Sequence, residues 1–333
     1  VLPRLRLTRG GRAWDAPEKR LRHRAVGRHT LPMTEQLPPG YSARPFTSED
    51  APGFWAVYAA AEQADLGEVA IELEDIRADW ARPSVDLARH TMGVLLGDEV
   101  VAGSDVYRTR RADGVVHPDH RGRGIGSWLA RWTQACSAAD GGTRVGMSVP
   151  AGSVGEEVFQ DLGYERGWTS WALRFPTGAT VPDRPLPEGY AIRDVAVPAD
   201  LPTVHRVVED AFDEWPERQP YPYEDWLQGV PEREGFEPWQ LRVVTDAEGA
   251  IAGVCVLLMA GDTAYVDQLA TRADQRGRGL AQALLADAFA NGRAHGASVS
   301  ELATDSRTGA LPLYERLGME VIQTWHHWQI DLV

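Results

Sequence analysis

Arg121-Gly122-Arg123-Gly124-Ile125-Gly126 and, 155 residues later, Arg276-Gly277-Arg278-Gly279-Leu280-Ala281 are the stretches that decide the fold. Each stands between an apolar, strand-like run and an amphipathic helix pattern. Leu280, Leu284 and Ala288 fall on one helical face after the second turn, as do Ile125, Leu129, Trp132 and Cys136 after the first. Small residues let a backbone approach a ligand closely. A helix N-terminus offers unpaired N–H groups and a partial positive charge, so such a turn suits a pyrophosphate. Arg121, Arg123, Arg276 and Arg278 would add charge-assisted contacts.

Working outward, the chain repeats itself. Leu37-Pro38-Pro39-Gly40-Tyr41 returns as Leu186-Pro187-Glu188-Gly189-Tyr190, and Leu162-Gly163-Tyr164 as Leu317-Gly318-Met319. Three landmarks in one order at nearly constant spacing indicate duplication. The 333 residues accordingly divide into a basic extension (1–33), a first domain (34–176), a proline-rich linker (177–188) and a second domain (189–333). Each copy reads strand, two helices, two or three strands, Gly-rich turn, helix, strand, short helix, strand. That order predicts an α/β (α+β) fold with a mixed sheet. In the second copy the strands are Tyr190–Val195, Leu241–Val244, Ile251–Met259 and Tyr265–Thr271, with a helix placing Leu201, Val204, Val208, Ala211 and Trp215 on one face.

Composition excludes several function classes. No apolar run approaches the ~18 residues of a membrane span. A net charge of −14 argues against non-specific nucleic-acid binding and favours a cationic partner. The extension, with Arg4, Arg6, Arg9, Arg12, Lys19, Arg20, Arg22, Arg24 and Arg28, lacks apolar periodicity and reads as disordered, upstream of a natural start at Met33. Cys136 and Cys255 lack metal-ligand spacing, so no metal is expected, and the pattern suits a reducing cytoplasm. Oligomeric state is not readable.

The turn is neither a P-loop, which needs Gly-Lys-Ser/Thr, nor a dinucleotide fingerprint, whose third glycine is replaced by Ser127 and Gln282. Arg-x-x-Gly-x-Gly/Ala resembles the acyl-CoA signature of the GNAT N-acetyltransferase superfamily, and Val116-His117-Pro118-Asp119-His120-Arg121-Gly122 extends the likeness. The layout resembles the tandem actinobacterial enzymes of the mycothiol synthase type. The resemblance covers residues 34–333 and implies two tandem GNAT domains, each a mixed sheet splayed open beside the turn and flanked by helices. It implies acetyl-CoA, or another acyl-CoA, as cosubstrate. Leu269 and Thr271 would meet its pantetheine through their backbone, and the amides from Arg276 through Gly277, Arg278 and Gly279 to Ala281 its pyrophosphate. Val116, Arg121, Gly122, Arg123, Gly124 and Gly126 are the first-copy counterparts.

Acyl transfer from a thioester to an amine needs a base and a proton for the departing thiolate. The resemblance implies a tyrosine on the short helix before a Leu-Gly turn, which Tyr314 fits; Phe159 stands at the matching place in the first copy. The second domain is therefore expected to be catalytic and the first degenerate, or a CoA binder without turnover. Asp267 and Glu301 are alternative bases. Acceptor specificity is expected in Asp213–Glu217 and Tyr221–Trp226, where acidic and aromatic residues alternate, although a solvated acidic face with core tryptophans explains the same pattern. Trp325 and Trp328 mark a last strand, with His326 and His327 on a sheet face. An N-acyltransferase acting on a small-molecule or peptide amine is the leading reading. A non-catalytic acyl-CoA sensor or interaction module is the alternative.

Overall fold

The computed structural model describes residues 36–176, 178–179, 182, 184–213 and 220–332. The basic extension, part of the linker and 214–219, with the readings placed on them, lie outside these. In chain order the first repeat comprises β1 (Tyr41–Arg44), α1 (Ala51–Leu66), α2 (Leu73–Trp80), α3 (Leu87–His90), β2 (Thr91–Leu96), β3 (Glu99–Tyr107), β4 (Arg111–Val116), α4 (Ile125–Ala139), β5 (Arg144–Pro150), α5 (Val154–Asp161) and β6 (Glu165–Arg174). The second comprises β7 (Ala191–Asp194), α6 (Leu201–Phe212), α7 (Tyr223–Gly229), β8 (Leu241–Thr245), β9 (Ile251–Ala260), β10 (Thr263–Thr271), α8 (Leu280–Ala294), β11 (Val299–Asp305), α9 (Leu311–Arg316) and β12 (Glu320–Asp331).

These elements form two compact units whose membership crosses the linear division of the repeat. One, here the C-unit, holds residues 66–85 and 168–325; the other, the N-unit, holds 36–65, 86–167 and 326–332. Each unit thus takes its closing strand from the other repeat. In the C-unit β6 pairs antiparallel with β11, Glu301 opposite Arg174 and Asp305 opposite Ser170. In the N-unit the end of β12 lies beside β5. There Leu332 donates its N–H to the Thr143 carbonyl at 2.8 Å, and a Cβ on Gly146 would overlap His327 Nε2. Similar repeats present similar strand edges, so a strand that completes one sheet fits the other.

The C-unit sheet runs β6-β11-β10-β9-β8-β7, parallel between β11 and β10 and antiparallel elsewhere. β9 is buried along most of its length, because α8 and α9 cover one face and α6 and α7 the other. That two-sided burial is why its sequence, Ile-Ala-Gly-Val-Cys-Val-Leu-Leu-Met-Ala, is continuously apolar. Leu280, Leu284, Leu285 and Phe289 of α8 are fully covered, and burial of each stabilises the unit by about 2 kcal/mol. The helix is alanine-rich and ends at Gly296 in the left-handed region, where Ala297 N–H reaches the Gly292 carbonyl at 2.9 Å. The N-unit repeats the plan with β1-β2-β3-β4-β5 and α4. Among the described residues no helix is long and apolar enough to cross a membrane.

Candidate active site

Both sheets open where the sequence motif stands. In the C-unit β10 and β11 are in register from Thr263–Val299 to Val266–Leu302, and no further, although β10 continues to Thr271 and β11 to Asp305. A bulge between Val266 and Gln268, at Asp267, marks the parting point. Beyond it β10 stays bound to β9, and Arg272 N–H reaches the Ala252 carbonyl. Backbone direction alternates along a strand. Leu269 and Thr271 therefore turn their N–H and C=O groups away from β9, into the opening. In the N-unit β4 and β5 share only the pair Arg111–Gly146, and β4 carries no bulge.

The turn that closes each opening is nearly the same twice. Gly277 and Gly279 have φ of +77° and +82°; Gly122 and Gly124 have +71° and +83°. Gly279 and Gly124 are the N-caps of α8 and α4. A Cβ on any of the four would meet nothing within 4 Å, so backbone conformation rather than crowding demands glycine. Among the described residues the amides from Gly277 to Gln282 have no backbone acceptor, as at the head of any helix. The space in front of them is open. An anionic pyrophosphate fits such a cradle.

The arginines divide. Arg276 and Arg121 turn back on their own strands, donating to the carbonyls of Thr271 (3.3 Å) and Val116 (3.2 Å). They brace the turn. Arg121 also forks onto Asp65 at 2.6 and 2.9 Å. Arg123 donates to the Tyr41 hydroxyl and the Asp119 carbonyl. Arg278, its counterpart in the C-unit, is exposed and makes no ion pair or side-chain hydrogen bond among the described residues.

Tyr314, on α9, is half-buried against the same core cluster as Leu269, its hydroxyl without a hydrogen-bond partner among the described residues. Burial, with a smaller contribution from the Cys255 sulfur, pushes its phenol up to about 12. A strand parted at a bulge, a left-handed glycine turn capping a helix, and a half-buried phenol without a hydrogen-bond partner among the described residues occur in one unit. Known proteins resemble this chain in sequence and in fold. Residues 202–319 match the acetyltransferase (GNAT) family. Mycothiol acetyltransferase of Salinispora tropica is 30% identical over 241 residues, covering 69% of this chain and 76% of that protein. That of Streptomyces coelicolor is 28% identical over 240 residues, 70% and 75% of the two chains. The chain belongs to the GNAT acetyltransferase family.

Among solved structures, a GCN5-related N-acetyltransferase from Sphaerobacter thermophilus superposes with a TM-score of 0.71 at 28% identity, covering 89% of this chain and 97% of that one. A tandem GNAT protein from the clavulanic acid biosynthesis pathway has the same fold, with a TM-score of 0.67 at 17% identity over 88% and 99% of the chains. The two tandem GNAT domains expected from the repeat are thus the fold class. As a GNAT enzyme the protein is an N-acetyltransferase, moving an acyl group to an amine. The reading as a sensor without turnover finds no support among these relatives.

The two candidate bases occupy different settings. Asp267 is half-exposed at the bulge and accepts a hydrogen bond from the Gln268 amide at 3.1 Å. Glu301 projects from β11 toward the side covered by α6 and α7, since its neighbour Leu302 enters the α8 core. It is 2% exposed, and Arg174 Nε donates to it at 2.5 Å. The second nitrogen of the same guanidinium lies 3.0 and 3.1 Å from the Glu68 carboxylate.

The expected acceptor stretch is largely structural. Asp225 is buried and accepts from the backbone and hydroxyl of Ser84; Trp226 is buried and donates to Gln268. The core tryptophan of the plainer explanation is found at Trp226, but Asp225 is buried and hydrogen-bonded instead of solvated. Sequence reasoning missed residues 66–85, which belong to the first repeat yet line this side of the C-unit. Glu72 and Asp75 anchor them to Arg233, and Ser84 to Asp225. The run of acids Glu68, Glu72, Glu74, Asp75 and Asp79 is visible in the sequence, but a repeat read linearly assigns it to the other domain. His326 and His327 lie on β12 as expected, beside Glu156 and Ser148.

Proposed function

We propose that the C-unit takes acetyl-CoA, or a related acyl-CoA, along the parted edge of β10 and passes the acyl group directly to the amine of a small molecule. The observation that carries this is the coincidence, in one unit, of the bulge at Asp267, the amide cradle from Gly277 to Gln282 and a Tyr314 hydroxyl without a hydrogen-bond partner among the described residues. The cradle and Arg278 would hold the pyrophosphate, the backbone of Leu269 and Thr271 the pantetheine. The Leu269 N–H, facing the opening, is positioned to stabilise the oxyanion that develops as nitrogen attacks.

In this mechanism the amine arrives as an ammonium and yields a proton, through a water, to Glu301. Its nitrogen bonds to the acyl carbon as the carbon–sulfur bond breaks, and the second proton it sheds in becoming an amide reaches the departing thiolate by way of solvent. Tyr314 then serves the leaving thiolate. With its phenol near 12 and a free thiol near ~8.5, complete proton transfer is uphill, so Tyr314 acts foremost as a hydrogen-bond donor to sulfur. Glu301 is preferred to Asp267 because it lies on the acceptor side and is held with a cation there; Asp267 is the direct alternative.

The named relatives are mycothiol acetyltransferases, which supports a small-molecule acceptor over a peptide. The net charge of −14, and two carboxylates sharing one guanidinium, favour a cationic one. We propose a cytoplasmic setting, no nucleic-acid, membrane or metal partner, and an N-unit that does not turn over. The test is release of CoA thiol from acetyl-CoA in the presence of a panel of polyamines, amino sugars and dipeptides. Turnover with at least one amine is expected. Saturable acetyl-CoA binding with no thiol release from any of them would instead favour a sensor.

A further inference from the structure

We infer that Arg174, carried by the last strand of the first repeat, is a positioning residue that orients Glu301 and pairs its charge for proton transfer. This rests on Glu301 being the base. A carboxylate with almost no exposure needs its oxygens hydrogen-bonded and its charge paired. The Arg174 guanidinium supplies that pairing: Nε lies 2.5 Å from Glu301 Oε1, while Nη2 spans the Glu68 oxygens at 3.0 and 3.1 Å. The strand register supports the pairing, since Glu301 and Arg174 are direct cross-strand partners on β11 and β6. Among the described residues Tyr265 is the register partner of Glu301 on β10, and Asp267 follows two residues on at the bulge.

Two observations separate this from a device for stability. A buried ion pair seldom stabilises more than the apolar residues that could replace it. The N-unit shows that the fold stands without one: Gly146 occupies the place of Glu301 on β5 at the repeat offset. The charge pair therefore belongs to the unit with the phenol. Its two supporting residues, Glu68 and Arg174, both come from the first repeat, which makes that repeat a contributor to the active site without being catalytic itself.

The test follows the Glu301 carboxyl in the full-length protein by 13C NMR, its signal assigned by loss in Glu301→Gln. The acid limb of kcat/KM is recorded in parallel, with acetyl-CoA as donor and spermidine, glucosamine and alanyl-alanine as probe amines. Arg174→Gln is expected to raise the carboxyl midpoint and the acid limb together, by about one pH unit or more. Arg174→Lys, which keeps the charge but cannot bridge both acids, should restore part of the shift. Glu68→Gln, which leaves the guanidinium to Glu301 alone, should move both downward. If Arg174→Gln does not fold, the last two variants decide by the same opposite shifts. A midpoint that moves while the limb stays fixed makes the pair structural and overturns the inference, as does a midpoint that does not move. Failure of the base reading looks different: Glu301→Gln keeps the wild-type rate and limb, and Asp267→Asn loses them.

Discussion

The two glycine turns superimpose in conformation, but the strands leading to them have diverged. At the repeat offset of 155 residues, Asp267 at its bulge is matched by Ala112 in an unbulged strand, Glu301 by Gly146, and Tyr314 by Phe159. Phe159 is buried against Tyr164, ring centroids 4.7 Å apart. Every position from which the C-unit could move a proton is apolar or absent in the N-unit. The turn, the helix cap and the splay persist in both. The lesson is that the binding frame and the proton chemistry are separable: the frame is backbone conformation, shared by the fold, whereas the chemistry is three side chains.

The largest effect should come from breaking that difference at the phenol. Tyr314→Phe is expected to lower kcat by about 10²–10³-fold, the usual consequence of deleting a donor aimed at developing charge, with little change in acetyl-CoA affinity. The reciprocal Phe159→Tyr should add no activity, since Glu301 and the bulge have no N-unit counterparts. It should cost about 1–3 kcal/mol in urea unfolding, because a hydroxyl enters a packed core without a partner. Because burial raises the Tyr314 phenol to about 12, it stays protonated as pH rises through the ordinary tyrosine range. Wild-type kcat should therefore show no basic limb from this residue below about pH 11. A limb near 10 that disappears in Tyr314→Phe would show the phenol to be solvated.

A smaller contrast is expected at the turns. Arg278→Ala should weaken acetyl-CoA binding about tenfold, the scale of one charge-assisted hydrogen bond, by calorimetric titration. Arg123→Ala should change it little, since the Tyr41 hydroxyl and Asp119 carbonyl already engage Arg123. Equal losses would mean that both turns bind ligand alike, and that degeneracy of the N-unit stops at the proton donors.

Much of this was legible in the sequence. Period and turn chemistry gave the order of elements in each copy, because glycine at positive φ and an apolar face every third or fourth residue are local requirements. The Tyr314 and Phe159 contrast needed only the repeat offset. The exchange of closing strands was not legible, since β6 and β12 pair with whichever edge tertiary packing offers and their alternation is the same in either sheet. Glu68 and Arg174 were lost for that reason: a salt bridge across 106 residues leaves no spacing to read. The roles of Arg121 and Arg276 also needed coordinates. Their charge suggested phosphate, but the guanidinium geometry shows each donating to a carbonyl five residues back.

The smallest predicted effect is also the most discriminating for the frame itself. Gly279 and Gly124 have almost the same φ and the same open surroundings, so alanine at either should cost about 1 kcal/mol through left-handed strain alone, read as matching falls in denaturation midpoint. Any further consequence must come from what approaches the glycine. If acetyl-CoA lies against the C-unit turn, the added methyl of Gly279→Ala stands where the pyrophosphate meets the amides, and affinity falls beyond what the stability loss explains. Gly124→Ala should then be neutral for both binding and turnover. An affinity loss in Gly124→Ala but not in Gly279→Ala would reverse the assignment of the two units, placing the ligand at the turn that has kept its frame and lost its chemistry.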